Sequence, residues 1–255
     1  MKRNNPSALA LLVFISLVWC YRYFGDTTQV ARLAAAIDPN DKLLVPLRVH
    51  LLAAKGVPEI TTTLTDKDVT RILHKINWVW APAGLHFYLE SVVNEEAANP
   101  EVFLAHKGAA ERFGLLSLRP EESKVSTLFH VYYLKRMSVN GMYLGEAVFV
   151  KDTASLRAVA GGIDEPLPRV TSHELGHAFG LPHRQDTTNL MASGTTGIEL
   201  NDEEIQRVRE RAKKFGWIES AGALKQRVEQ LVSAGKITEA EVLRQRLAGC
   251  LAAEQ

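Results

Sequence analysis

The 255-residue chain reads as an α+β protein built on a twisted mixed sheet. Three observations predict this class. A β-rich run, an amphipathic helix and a second β-rich run follow one another over residues 44–90, the pattern of a strand–helix–strand unit. Further strand patterns occur at 127–134 and 143–151 without long helices between them. A histidine-bearing helix then opens near residue 168 and leads into a C-terminal subdomain. The organisation that follows is an N-terminal membrane segment (1–24), a linker (25–43), a main domain (44–219) and a C-terminal helical hairpin (220–255).

Lys2 and Arg3 precede an apolar run from Ala8 to Tyr21 that includes Leu11, Leu12, Phe14, Ile15, Leu17, Val18 and Trp19. This is the pattern of a secretory signal or a signal anchor. A span needs about 17–25 residues, and Ser7 to Phe24 reaches that length if Arg22 snorkels. No small-x-small cleavage site follows directly, and Trp19 argues against lipoprotein cleavage before Cys20. An uncleaved anchor is therefore favoured over a cleaved leader. The leading positive charges place the N-terminus inside and the rest outside. The expected location is the cell membrane, single-pass with the main domain extracytoplasmic, or secreted if the segment is cut.

Net charge is +1, so no basic footprint for nucleic acid exists. Hydrophobic residues make up 46% of the chain, enough to bury a core without disulfides. Its two cysteines, Cys20 and Cys250, lie near opposite ends, and no internal disulfide is expected.

Leu44 to Ala53 is mostly apolar and predicts a first strand of a covered sheet. His50 within it is expected to be structural. Thr65 or Asp66 can cap a helix on which Val69, Ile72, Leu73, Ile76, Val79 and Trp80 recur at helical spacing. That helix ends near Pro82 and Gly84, with His74 on its exposed side. Leu85 to Glu90 predicts the second strand. Residues 94–123 are polar, with short helical pieces near Val102–Leu104 and Ala109–Phe113 and an exposed His106. Thr127 to Leu134 is a third strand, and His130 in it is expected to be structural. Asn140-Gly141 signals a turn. Tyr143 to Lys151 carries one or two short strands, and Gly161-Gly162, Pro166 and Pro168 mark a flexible loop.

The pattern with chemical content is Thr171 to His183, TSHELGHAFGLPH. On a helix, His173 and His177 stand one turn apart on one face, so both imidazoles can reach one metal ion. Glu174 lies about 100° further round, able to reach a water at the metal without being a ligand. Gly180 can take a left-handed conformation that stops the helix. The chain then doubles back, and His183 can supply a third nitrogen. Three neutral imidazoles with one open position make a catalytic zinc site rather than a structural one.

These residues resemble the metzincin clan of zinc endopeptidases. The clan's methionine turn has a counterpart in Asn189-Leu190-Met191-Ala192, with Met191 eight residues beyond His183. That spacing, the HELGH-x-x-GL-x-H wording, Asp186 and the Leu200 to Ile205 helix start are most similar to the matrixins. The resemblance implies a metzincin-like zincin fold, Zn2+ held by His173, His177 and His183, Glu174 as the catalytic base, and Met191 as a floor that does not ligate. It implies hydrolysis of protein or peptide substrates that pair with an edge strand before the zinc helix, for which Gly145-Glu146-Ala147-Val148 is the candidate. Arg184 replaces the usual Ser or Thr, and Ala192-Ser193-Gly194 replaces the usual Tyr-Pro after the methionine. The pocket beside the scissile bond is expected to differ accordingly. No cysteine is placed to latch the zinc, and the cysteines of the additional archaemetzincin zinc have no counterpart. A rival reading is a membrane-tethered, catalytically silent protein of this fold, serving as a binder or scaffold.

Beyond Asn201, which can cap a helix reaching about Phe215, residues 223–232 and 238–252 form two amphipathic patterns. Leu224, Val228, Leu231, Ile237, Val242 and Leu247 are the expected apolar seam of a hairpin appendage that serves packing or self-association.

Overall fold

The computed structural model describes residues 37–145 and 147–252, with backbone alone for the last two. The expected membrane segment and residues 25–36 of the linker lie outside the described residues, as does Glu146. Among the described residues no helix is long and apolar enough to cross a membrane.

The elements are β1 (Leu43–Ala53), α1 (Asp66–Trp80), β2 (Leu85–Glu96), α2 (Pro100–Ala105), α3 (Glu111–Ser117), β3 (Phe129–Leu134), β4 (Gly141–Tyr143), β5 (Ala147–Lys151), α4 (Pro166–Ala178), α5 (Asp202–Ala212), β6 (Glu219–Ser220), α6 (Ala221–Ser233) and α7 (Ile237–Ala252). One mixed sheet runs in the order β2-β1-β3-β5-β4. The first four of these strands are parallel, and β4 closes the edge antiparallel to β5. Short β6 pairs antiparallel with the start of β1.

Alternation along the strands sorts the layers. Leu43, Val45, Leu47, Val49 and Leu51 of β1 face α1 and α4, together with Phe129, Val131 and Tyr133 of β3. The opposite face is divided. Leu52, Tyr132, Leu134 and Phe149 pack against Phe103 and Leu115 of α2 and α3, while Leu44 packs under α6 and α7. Between these apolar patches lies a polar strip. His50 Nδ1 is 2.6 Å from Glu95 Oε1, and its Nε2 is 2.8 Å from His130 Nδ1. Arg48 binds Glu90, Ser91 and the Ser123 carbonyl. Both histidines are thus buried structural groups, as their positions inside strands suggested.

Helix starts follow their caps. Thr65 and Asp68 form a reciprocal capping box on α1, and Asn201 and Glu204 do so on α5. Four differences from the sequence expectation stand out. β2 runs on to Glu96, because its polar end feeds the strip beside His50. The turn lies at Gly145 (φ +67) rather than at Asn140-Gly141, with Leu144 N donating to Ala147 O over 2.8 Å. Ala147 and Val148 therefore belong to β5, paired on both sides, and the open edge is Gly141–Tyr143. His106 is half-buried, its Nδ1 2.7 Å from the Val102 carbonyl.

The C-terminal hairpin packs on the sheet. Its seam is Leu224 and Val228 against Ala240, Leu243, Leu247 and Cys250, closing over Leu44 and Tyr88. Ile237 and Val242 are 53% and 47% exposed. The inward stripe of α7 follows 240, 243, 247, 250, and Val242 sits about 100° off it.

Candidate metal centre

Helix α4 is buried along nearly its whole length, including Leu167, Val170, Leu175 and Ala178. Thr171 moors it to the sheet: its hydroxyl bonds the Leu167 carbonyl and lies 2.9 Å from the Tyr133 hydroxyl. The helix ends in a Schellman pair, with Gly180 N donating to His177 O and Leu181 N to Gly176 O. Gly180 has φ +82, the left-handed value its place in the motif required. At the same end Phe179 packs edge-on against Trp80, Phe129 and Phe215, which ties the zinc helix to the sheet and to the segment after α5.

The reversal brings His173, His177 and His183 together, with one nitrogen from each lying within 4.8 Å of the others. Two of the three are oriented by carbonyls. His173 Nδ1 lies 2.9 Å from Leu190 O and His177 Nδ1 2.8 Å from Leu181 O, so each turns Nε2 toward the common centre. His177 Nε2 and His183 Nε2 are 3.2 Å apart. Two nitrogens at the corners of a tetrahedron with bonds of about 2.0 Å would be about 3.3 Å apart. The donor set, its tautomers and its spacing fit Zn2+. Burial lowers the pKa of His173 to about 3 and lowers that of His177, which favours the neutral imidazole that a metal needs.

Glu174 is 7% exposed. Burial raises its pKa to about 7, opposed by a hydrogen bond from the Tyr143 backbone N–H and by the charge of Arg169. Tyr143 belongs to edge strand β4, so the carboxylate is held where the sheet ends. A Cβ on Gly141 would come within 2.8 Å of Glu174 Oε1.

Met191 is fully buried beneath the helix. Its turn is closed by Ala192 N donating to Asn189 O, and Asn189 Oδ1 accepts from Met191 N over 2.7 Å. Gly176 allows the sulfur its place, since a Cβ there would lie 2.6 Å from Met191 Sδ. Arg184 points to α5, where buried Glu204 accepts from Arg184 Nε at 2.6 Å, Asn189 Nδ2 at 2.8 Å and Asn201 N at 3.0 Å. One carboxylate thus joins the third-histidine loop, the methionine turn and the start of α5. The sequence reading missed Gly176, Gly141, Tyr143, Glu204 and Arg169. Two of these had a local signal: Arg169, a charge one turn before His173, and Glu204, three residues after the Asn201 cap.

No protein-family model matches the chain, and no curated protein does. Among solved structures, an archaemetzincin from Methanopyrus kandleri is 16% identical with a TM-score of 0.45, covering 66% of this chain and 96% of that one. A zinc-dependent peptidase from Methanocorpusculum labreanum is 13% identical with a TM-score of 0.31, covering 63% and 92%. A chaperone–substrate complex is 10% identical with a TM-score of 0.41, covering 69% of this chain and 35% of that one. The chain's own residues define a mixed α/β protein with a three-histidine site for Zn2+.

Proposed function

We propose that the chain is a zinc-dependent endopeptidase of matrixin-like type that hydrolyses extracytoplasmic proteins or peptides. The grouping of Glu174 with the three histidines carries this reading: a buried carboxylate next to three converging imidazoles, bonded to the edge strand of the sheet. His173, His177 and His183 would hold the zinc, which would supply Lewis acidity toward a peptide carbonyl and toward water. Glu174 takes a proton from the attacking water and returns it to the leaving amine. Strand β4 ends the sheet beside Glu174, which holds the Tyr143 N–H, and an extended peptide can pair along that edge. Met191 gives the site a dry floor.

The matrixin-like assignment is supported by the placement of Met191 after His183. The extracytoplasmic, membrane-anchored location is supported by Lys2 and Arg3 ahead of the apolar run, and is read by protease accessibility in intact cells. Self-association through the hairpin is supported by exposed Val232, Ile237 and Val242, and is read by sedimentation.

The central test is cleavage of a mixed peptide library by the purified, zinc-loaded chain and by Glu174→Ala. Wild-type cleavage with a loss of about 10²–10⁴-fold in the variant, at unchanged zinc content, is expected. Equal turnover by both would remove Glu174 from its role.

A further inference from the structure

One turn before His173 on α4, Arg169 is 2% exposed. Among the described residues no carboxylate pairs with it at contact distance. Glu174 acts on it only through space. Leaving a guanidinium buried among neutral partners is costly, and an apolar side chain would pack the same helix face. What the guanidinium holds accounts for it.

Its Nε donates to Gly197 O at 3.0 Å. Its Nη2 reaches Asn189 O at 3.4 Å and also donates to Ala192 O. Those last two carbonyls are the two ends of the turn that carries Met191. Between them lies Leu190, whose carbonyl accepts from His173 Nδ1. The third nitrogen, Nη1, stands 3.2 Å from the same His173 Nδ1. A planar fork with several fixed donors can span these carbonyls at once.

We propose that Arg169 is the positioning residue of the metal centre: it clamps both ends of the methionine turn so that Leu190 O fixes His173 with Nε2 toward the metal. This rests on the zinc reading above. The clamp connects a residue of α4 to a loop some twenty positions later, so ligand and floor move as one body. Lys at this position keeps a cation and three donors but not the planar fork. Met keeps the length and loses both.

The experiment compares wild type, Arg169→Lys, Arg169→Met and a core control on the opposite face of the sheet, Leu115→Ala, in the full chain. Zinc affinity is measured by chelator competition, ligand geometry by the visible absorption of the cobalt-substituted protein, and stability by urea unfolding of the metal-free form. Loss of a residue that orients a ligand typically weakens metal binding by about 10–100-fold. That loss is expected for Arg169→Met, with weakened tetrahedral cobalt bands, and an intermediate loss for Arg169→Lys. Leu115→Ala should lose stability at unchanged zinc affinity. Wild-type affinity and spectrum in both Arg169 variants, whatever their stability, would overturn the positioning role. If Arg169→Met does not fold, Arg169→Lys decides alone by the same criterion. A wild type that binds no zinc would overturn the metal reading itself, and the role of Arg169 with it.

Discussion

Gly176 shows how one absent carbon shapes the centre. The space where its Cβ would stand is taken by Met191, 2.6 Å away at Sδ and 3.2 Å at Cε. Because Met191 is fully buried, its end cannot swing into solvent. Gly176→Ala therefore overpacks the floor of the site, at a cost of about 1–3 kcal/mol. Met191→Ala alone leaves a cavity costing about 2–5 kcal/mol. Together the two should cost less than their sum by about 1 kcal/mol or more, because each relieves the strain or void left by the other. Urea unfolding of the four proteins in the cycle measures this coupling, and strict additivity would show that the contact is not felt. The sequence displayed Gly176 inside the motif but could not display its reason, which is a contact across fifteen positions. Gly180 was different. Its task, ending a helix with φ +82, is local, and spacing alone revealed it.

The same division between local and distant causes holds among elements. Strand β1, helix α1 with its Thr65 cap and helix α5 with its Asn201 cap were legible because periodicity and capping are short-range. Edge strand β4 was not. It is three residues long, opens on glycine and has too few positions to show alternation. It becomes a strand by pairing with β5 and by lying against α4. The phase of α7 was misjudged for a related reason: Ile237 and Val242 are as apolar as Leu243, and only the sheet beneath selects the inward stripe. The position of β4 has a catalytic consequence. A methyl at Gly141 would meet Val170 Cγ1 at 2.6 Å and Glu174 Oε1 at 2.8 Å. Gly141→Ala must push the edge outward or turn the carboxylate, and displacement of a reacting group by about 1 Å can cost about 10²-fold in rate. Peptide turnover should fall by that order while zinc affinity stays at the wild-type value, since the three atoms nearest an added methyl belong to Val170 and Glu174 and not to a histidine ligand. Loss of zinc together with activity would instead place β4 among the supports of the metal.

At the scale of the whole molecule, the hairpin completes a three-layer structure, and one consequence can be read with acid. His86 on β2 pairs in register with Leu44 and is 9% exposed. Helix α7 covers it: a Cβ on Gly249 would be 3.9 Å from His86 Nε2. Burial, with a smaller contribution from Lys42, lowers its pKa from 6.5 to about 4. His50 is lowered further, to about 2, again chiefly by burial. However, Glu95 touches His50 and can pair with its proton, which makes His86 the cleaner probe. A depressed folded-state pKa means that the unfolded chain binds the extra proton first. The stability owed to neutral His86 is therefore intact above pH 6.5, declines as pH falls through 6.5, and stops declining below about 4. Between pH 7.5 and 4.5 the loss is about 2–3 kcal/mol. His86→Phe removes that share. Urea unfolding of the metal-free forms at the two pH values should show the variant losing about 2–3 kcal/mol less than wild type, since the other histidines titrate in both chains and cancel. Equal acid losses would mean that His86 is open to water in solution, and that the hairpin does not hold its place over the sheet.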